Sequence, residues 1–120
     1  MSCDLKNIAY PDTVTGETWA GLNFSIDSSD DTEFANTLSR VRMSFKNAAG
    51  TVSLTLDSNT AGQITIDSAT AYAWEFTVES RTMTLTEGWY SWAVETTDSE
   101  SVKDKDFLAG TINILADPHA

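Results

Sequence analysis

Thr18-Trp19-Ala20-Gly21-Leu22-Asn23-Phe24-Ser25-Ile26-Asp27 alternates with a period of two. Ala20, Leu22, Phe24 and Ile26 fall on one parity, and Trp19, Gly21, Asn23 and Ser25 on the other. Side chains of a strand point alternately to its two faces, so the first set is expected to face a core and the second solvent or a partner. The same pattern recurs along the chain. Val41, Met43 and Phe45 share a parity against Arg40, Arg42, Ser44 and Lys46. Val52, Leu54 and Leu56 follow the turn Asn47-Ala48-Ala49-Gly50, and Ile64 and Ile66 follow the break from Asp57 to Gly62. Trp74, Phe76 and Val78 alternate with Glu75, Thr77 and Glu79, and Tyr90, Trp92 and Val94 with Ser91, Ala93 and Glu95. Leu108, Ile112 and Ile114 close the series around Gly110. The pattern predicts seven strands, or eight with Leu5 to Ala9, at a spacing of about 10 residues that suits an antiparallel β-sandwich or barrel.

One stretch reads differently. Thr84 and Glu87 have capping-box spacing and Gly88 follows, which predicts a single helical turn within Ser80 to Glu87. The 120 residues fit one domain, 1–120, with its core at about 5–115. Apolar residues at 41% allow folding without metal or disulfide, and 21% charged residues argue against bulk disorder.

The formal net charge is −11, from 18 acids against 7 Lys and Arg. Phosphate backbones and anionic lipid headgroups attract basic surfaces, so neither nucleic acid nor a membrane is an expected partner. Cys3 is the only cysteine, so no internal disulfide is expected. The opening Met-Ser-Cys-Asp-Leu-Lys lacks a basic run followed by an apolar one, from which we expect no secretory leader and synthesis in a cytoplasm.

Catalytic chemistry finds little footing. The single histidine, His119, lies next to the C-terminal residue, where the positioning that base catalysis demands is rare. Cys3 lacks the electropositive setting that activates a thiolate. One Cys and one His cannot make a zinc site. Glu75, Glu79 and Glu95 fall on the outward parity, where carboxylates stay solvated. Two acidic clusters, Asp27-Asp30-Asp31-Glu33 and Asp98-Glu100-Asp104-Asp106, lack the calcium-loop pattern and read as solvated hairpin loops. We expect no enzyme, no cofactor and no metal requirement.

The tryptophans say more. Trp74 and Trp92, with Tyr90, lie on apolar parity and read as core. Trp19 and Trp89 lie on the opposite parity, which leaves two readings: a partner or subunit contact, or coverage by a loop or the N-terminal segment. Taken as contacts, the interface candidates are Trp19, Gly21, Asn23, Ser25 and Trp89. The uncharged outward set from Trp19 to Ser25 is then the strand stretch least able to repel a neighbour.

The order of landmarks resembles a known family. Gly16-Glu17-Thr18-Trp19 comes first, then Val41-Arg42-Met43, then Leu54-Thr55-Leu56. Gly88-Trp89-Tyr90-Ser91-Trp92 and Leu108-Ala109-Gly110-Thr111-Ile112-Asn113-Ile114 follow late. The set, over residues 14–115, is similar to the immunoglobulin-like structural domains of tailed phages, such as the N-terminal domain of baseplate upper proteins. Glu17 stands where that family usually has Asp, and Ala93 and Glu95 alter its Tyr-Asp strand.

The resemblance implies an immunoglobulin-like antiparallel sandwich and a non-catalytic virion protein, made in the bacterial host cytoplasm. Such a protein docks into a symmetric assembly at tail, baseplate, head or fibre attachment. Its expected partners are other virion proteins, or itself as a homo-oligomer. Two other functions fit the sequence: a carbohydrate-binding module stacking sugars on Trp19 and Trp89, and a secreted adhesin-like domain.

Overall fold

The computed structural model describes residues 6–9, 13–25, 34–99 and 105–117. It is all-β with several sheets, an arrangement consistent with the β-sandwich class. Among the described residues eleven strands follow in chain order: β1 (Lys6–Ala9), β2 (Thr13–Val14), β3 (Thr18–Trp19), β4 (Leu22–Ser25), β5 (Leu38–Lys46), β6 (Val52–Asp57), β7 (Ile64–Ser68), β8 (Glu75–Val78), β9 (Arg81–Thr82), β10 (Gly88–Asp98) and β11 (Lys105–Leu115).

The main sheet has the order β1-β11-β10-β5-β6, and β2 also pairs with β11. β1 and β2 run parallel to β11, while β11, β10, β5 and β6 are mutually antiparallel. A three-stranded antiparallel sheet, β4-β8-β7, and a short ribbon, β3-β9, complete the architecture. The inner faces meet in one core. Val41, Met43, Phe45, Leu56, Trp92, Val94, Ile112 and Ile114 supply the main sheet's share, and Phe24, Ile64, Phe76 and Val78 the three-stranded sheet's. Phe24 stacks on Phe76 at 5.1 Å, and Phe34 meets Trp74 edge-on at 4.9 Å. The Trp74 indole N–H donates to the Asn36 carbonyl at 2.9 Å, so its polar edge is satisfied inside.

Trp19 overturns its parity. It is 3% exposed and packs edge-on against Phe45 at 5.7 Å, inside the core rather than on the surface. The cause is Gly21. Pairing with the opposite strand keeps one register from Ser25↔Glu75 to Thr18↔Thr82, yet Gly21 sits at φ +80 and splits the expected single strand into β3 and β4. A Cβ there would lie 2.1 Å from the Val78 carbonyl oxygen, so only glycine permits this approach of two backbones. The ribbon turns at that point. Trp19 before the turn and Phe24 beyond it both face inward, although strict alternation would separate them.

Two further expectations change. No helical turn forms over 80–87. Arg81–Thr82 is extended and pairs with Thr18–Trp19, and Met83 and Leu85 are both buried while Thr84 between them is exposed. The Met83 amide donates to the Glu17 carbonyl at 2.8 Å, which extends the ribbon. Val52, expected on the core parity, is 50% exposed, because a bulge at Phe45/Lys46 sets Lys46 opposite Val52 and turns the end of β6 outward.

Candidate docking surface

Register explains what lies on the outer face of the main sheet. Lys46, Ser91 and Thr111 align across β5, β10 and β11, and Ser44, Ala93 and Ala109 align in the next row. Apart from Lys46 these side chains are small, and they leave a trough between their larger neighbours. The groove over these six residues has a volume of about 580 Å³. One end is bounded by Glu95, whose Oε2 accepts from Arg42 Nη2 at 3.2 Å. Beyond it, Arg40 holds Asp57 with two hydrogen bonds, Nε donating to Oδ1 at 3.0 Å and Nη2 to Oδ2. The Arg40 guanidinium holds the Asp57 carboxyl below the usual carboxylate range, against the upward pull of partial burial.

The other end is apolar. The exposed large hydrophobic side chains among the described residues are Val52, Trp89 at 61% and Leu115 at 40%. All three belong to this end of the same face. Trp89 pairs with Asn113, which shares the outward parity of Thr111 and Leu115, and Val52 flanks Lys46. Trp89 also borders a hollow of about 320 Å³, between Thr86-Glu87-Gly88 and the β5–β6 turn. Asn47 rigidifies that turn, its Oδ1 accepting the amides of Ala49 and Thr51 at 3.0 Å each. At the root of the hollow, the Tyr90 hydroxyl donates to the Thr86 carbonyl at 2.9 Å and pins the start of β10.

The five residues expected to form interface contacts therefore do not share a surface. Trp89 projects from the outer face of the main sheet, whereas Trp19 is core and Gly21 is packed against the Val78 carbonyl. Asn23 and Ser25 are exposed on the outer face of the three-stranded sheet. There Asn23 Nδ2 donates to Thr77 Oγ1 at 2.9 Å, and Thr77 Oγ1 to Asp67 Oδ2 at 2.7 Å. Thr65 donates to Glu79 at 2.9 Å, so this second face is polar and acidic.

Glu75 and Glu79 lie by that second face, while Glu95 is paired with Arg42 on the first. The three carboxylates do not converge on one cleft. Among the described residues, no group of three or more His, Cys, Asp or Glu is placed to hold a metal ion. Cys3, His119, the cluster from Asp27 to Glu33, and Glu100 and Asp104 lie outside the described residues. Asp98 is described and buried, and its Oδ2 accepts from Asn36 Nδ2 at 3.4 Å.

No protein-family model matches the sequence, and no curated protein matches it either.

Proposed function

We propose that the chain is a non-catalytic, immunoglobulin-like structural domain of a tailed-phage particle. In this reading it is made in the bacterial host cytoplasm and docks into the particle through the outer face of the main sheet. One observation carries the docking. Val52, Trp89 and Leu115 are exposed on one face, toward one end of the trough. Exposed apolar residues gathered on one face mark contact sites, and a tryptophan on such a face is the residue type most often dominant in binding.

Two features support the immunoglobulin-like reading. The order β11-β10-β5-β6 against β4-β8-β7 matches the strand order G-F-C-C′ against B-E-D of that fold. Tyr90 lies near the start of β10 and its hydroxyl bonds back to the backbone four residues upstream, as in a tyrosine corner. The phage assignment itself rests on the ordered landmarks of the sequence.

Carbohydrate binding is the second reading, favoured by the hollow beside the exposed Trp89 ring, with Asn47 and Glu87 on its walls. Two substitutions and two assays separate the readings. Trp89→Ala and Ala93→Arg should leave the domain folded and block its incorporation into particles. Normal incorporation of both variants would refute docking by this face. Glycan-array binding that is lost in Trp89→Ala would favour the carbohydrate reading instead.

A further inference from the structure

The two long edges of the main sheet are treated differently. On the β11 side, β1 and β2 add in parallel and cover the edge. On the other side β6 is the last strand, with no described residue paired beyond it.

Hydrogen bonding shows which groups this edge presents. Ser58 N–H donates to the Val41 carbonyl at 2.9 Å, and Val41 N–H to Ser58 Oγ at 2.9 Å. Ser58 thus turns its backbone toward β5. By the alternation of an antiparallel ladder, Leu56 and Leu54 do the same, and Asp57 and Thr55 turn theirs away. Asp57 N–H is capped by Gln63 Oε1 at 2.9 Å. Among the described residues no such cap covers the outward N–H and C=O of Thr55. Ser53, the extra residue of the bulge, stands opposite no β5 residue.

Exposed edges normally carry a charge, a proline or a covering segment that blocks further pairing. Thr51-Val52-Ser53-Leu54-Thr55-Leu56 has no charged residue, no proline and no glycine. β6 shares a bulge with the edge strand β7, but β7 carries Asp67 beside its bulge, whereas the acid of β6, Asp57, is held by Arg40 at the far end of the strand, and the edge strand β4 is four residues long. Charge also favours this edge for a second copy. In a chain of net charge −11, Arg40 is paired with Asp57 and Arg42 with Glu95, which leaves Lys46 as the one further charge of the β5–β6 pair, so this edge adds no net negative charge to oppose a second copy.

We propose that β6 pairs antiparallel with β6 of a second copy of this chain, about a two-fold axis at Leu54. That axis sets Ser53 opposite Thr55 of the second copy and joins the two sheet edges over this short stretch, since the bulge turns Val52 outward while Leu56 faces the core. The trough and Trp89 stay free, and of the docking face only Val52 lies on β6. The contact is small, so a dissociation constant of roughly 0.1–1 mM is expected for the isolated protein, with repetition in an assembly adding avidity.

The test combines sedimentation of the reduced protein over a concentration series with amide hydrogen exchange. Dimer should form near the top of the series, and the Thr55 amide should become protected as it does. Thr55→Pro removes only the outward N–H, a change edge strands tolerate. It should keep the far-UV circular dichroism spectrum and raise the dissociation constant at least about tenfold. Should Thr55→Pro fail to fold, Thr55→Lys places a guarding charge at the same position and should have the same effect. Trp89→Ala should dimerise like the parent. The proposal is overturned by a protein still monomeric at roughly 1 mM, or by a dimer with an unprotected Thr55 amide. A dimer that survives both Thr55 variants, or one lost in Trp89→Ala, overturns it as well.

Discussion

Trp19→Ala tests the turn at Gly21 through its consequence for the core. The indole is 3% exposed and lies edge-on to Phe45 at 5.7 Å. Truncation removes roughly 200 Å² of buried apolar surface beyond the β-carbon, or about 5 kcal/mol at ~25 cal/mol per Å². Residual burial in the unfolded chain trims this to about 3–4.5 kcal/mol. That range agrees with the ~3–5 kcal/mol found when large aromatic side chains are cut from cores. At about 3–5 °C per kcal/mol for a domain of this size, the melting temperature should fall by about 10–20 °C. Trp89→Ala provides the contrast. With its ring 61% exposed, it should change stability by less than about 0.5 kcal/mol. Thermal and urea unfolding followed by far-UV circular dichroism reads both variants. If Trp19→Ala melted within a few degrees of the parent, the ribbon would not carry this ring into the core. The strict alternation of the sequence would then stand.

Other substitutions probe other joints. Gly21→Ala meets both a positive φ and the Val78 carbonyl, and should cost at least about 2 kcal/mol by urea unfolding; a neutral result would remove the close backbone approach. Tyr90→Phe deletes the hydroxyl bond to Thr86 and should cost about 1 kcal/mol, with faster exchange of amides at the start of β10. Asp57 titrates below its ordinary range when folded, because of Arg40, so its contribution is present above the unfolded value. It is lost as the pH falls below about 4 toward the folded value. Asp57→Asn should therefore flatten the acid limb of the stability curve, and an unchanged limb would mean that the pair does not act.

Much of the fold is written as alternation. β5, β10 and the end of β11 follow the parity of Val41-Met43-Phe45, Tyr90-Trp92-Val94 and Ile112-Ile114, because long half-buried strands repeat the signal enough to outweigh single exceptions. Trp19 was illegible because one glycine reorients a ribbon without altering its register, and nothing in a period-two count registers a positive φ. Val52 was misassigned for a related reason, since a bulge shifts facing by one residue. The capping-box spacing at Thr84 and Glu87 competed with the alternation of Met83 and Leu85, and core burial of those two side chains prevailed. Of the docking face, only Trp89 was legible. The trough depends on Ser44, Ala93 and Ala109 lying side by side, and neighbours across strands appear only once pairing is known.

Docking into a particle is most directly tested by quantitative mass spectrometry of purified particles from the host lysate that contains this chain. The account predicts the chain in particles at a fixed ratio to their other proteins. It also predicts that Trp89→Ala, soluble and folded in the same lysate, is depleted from them. A chain abundant in the lysate and absent from the particles would contradict the account.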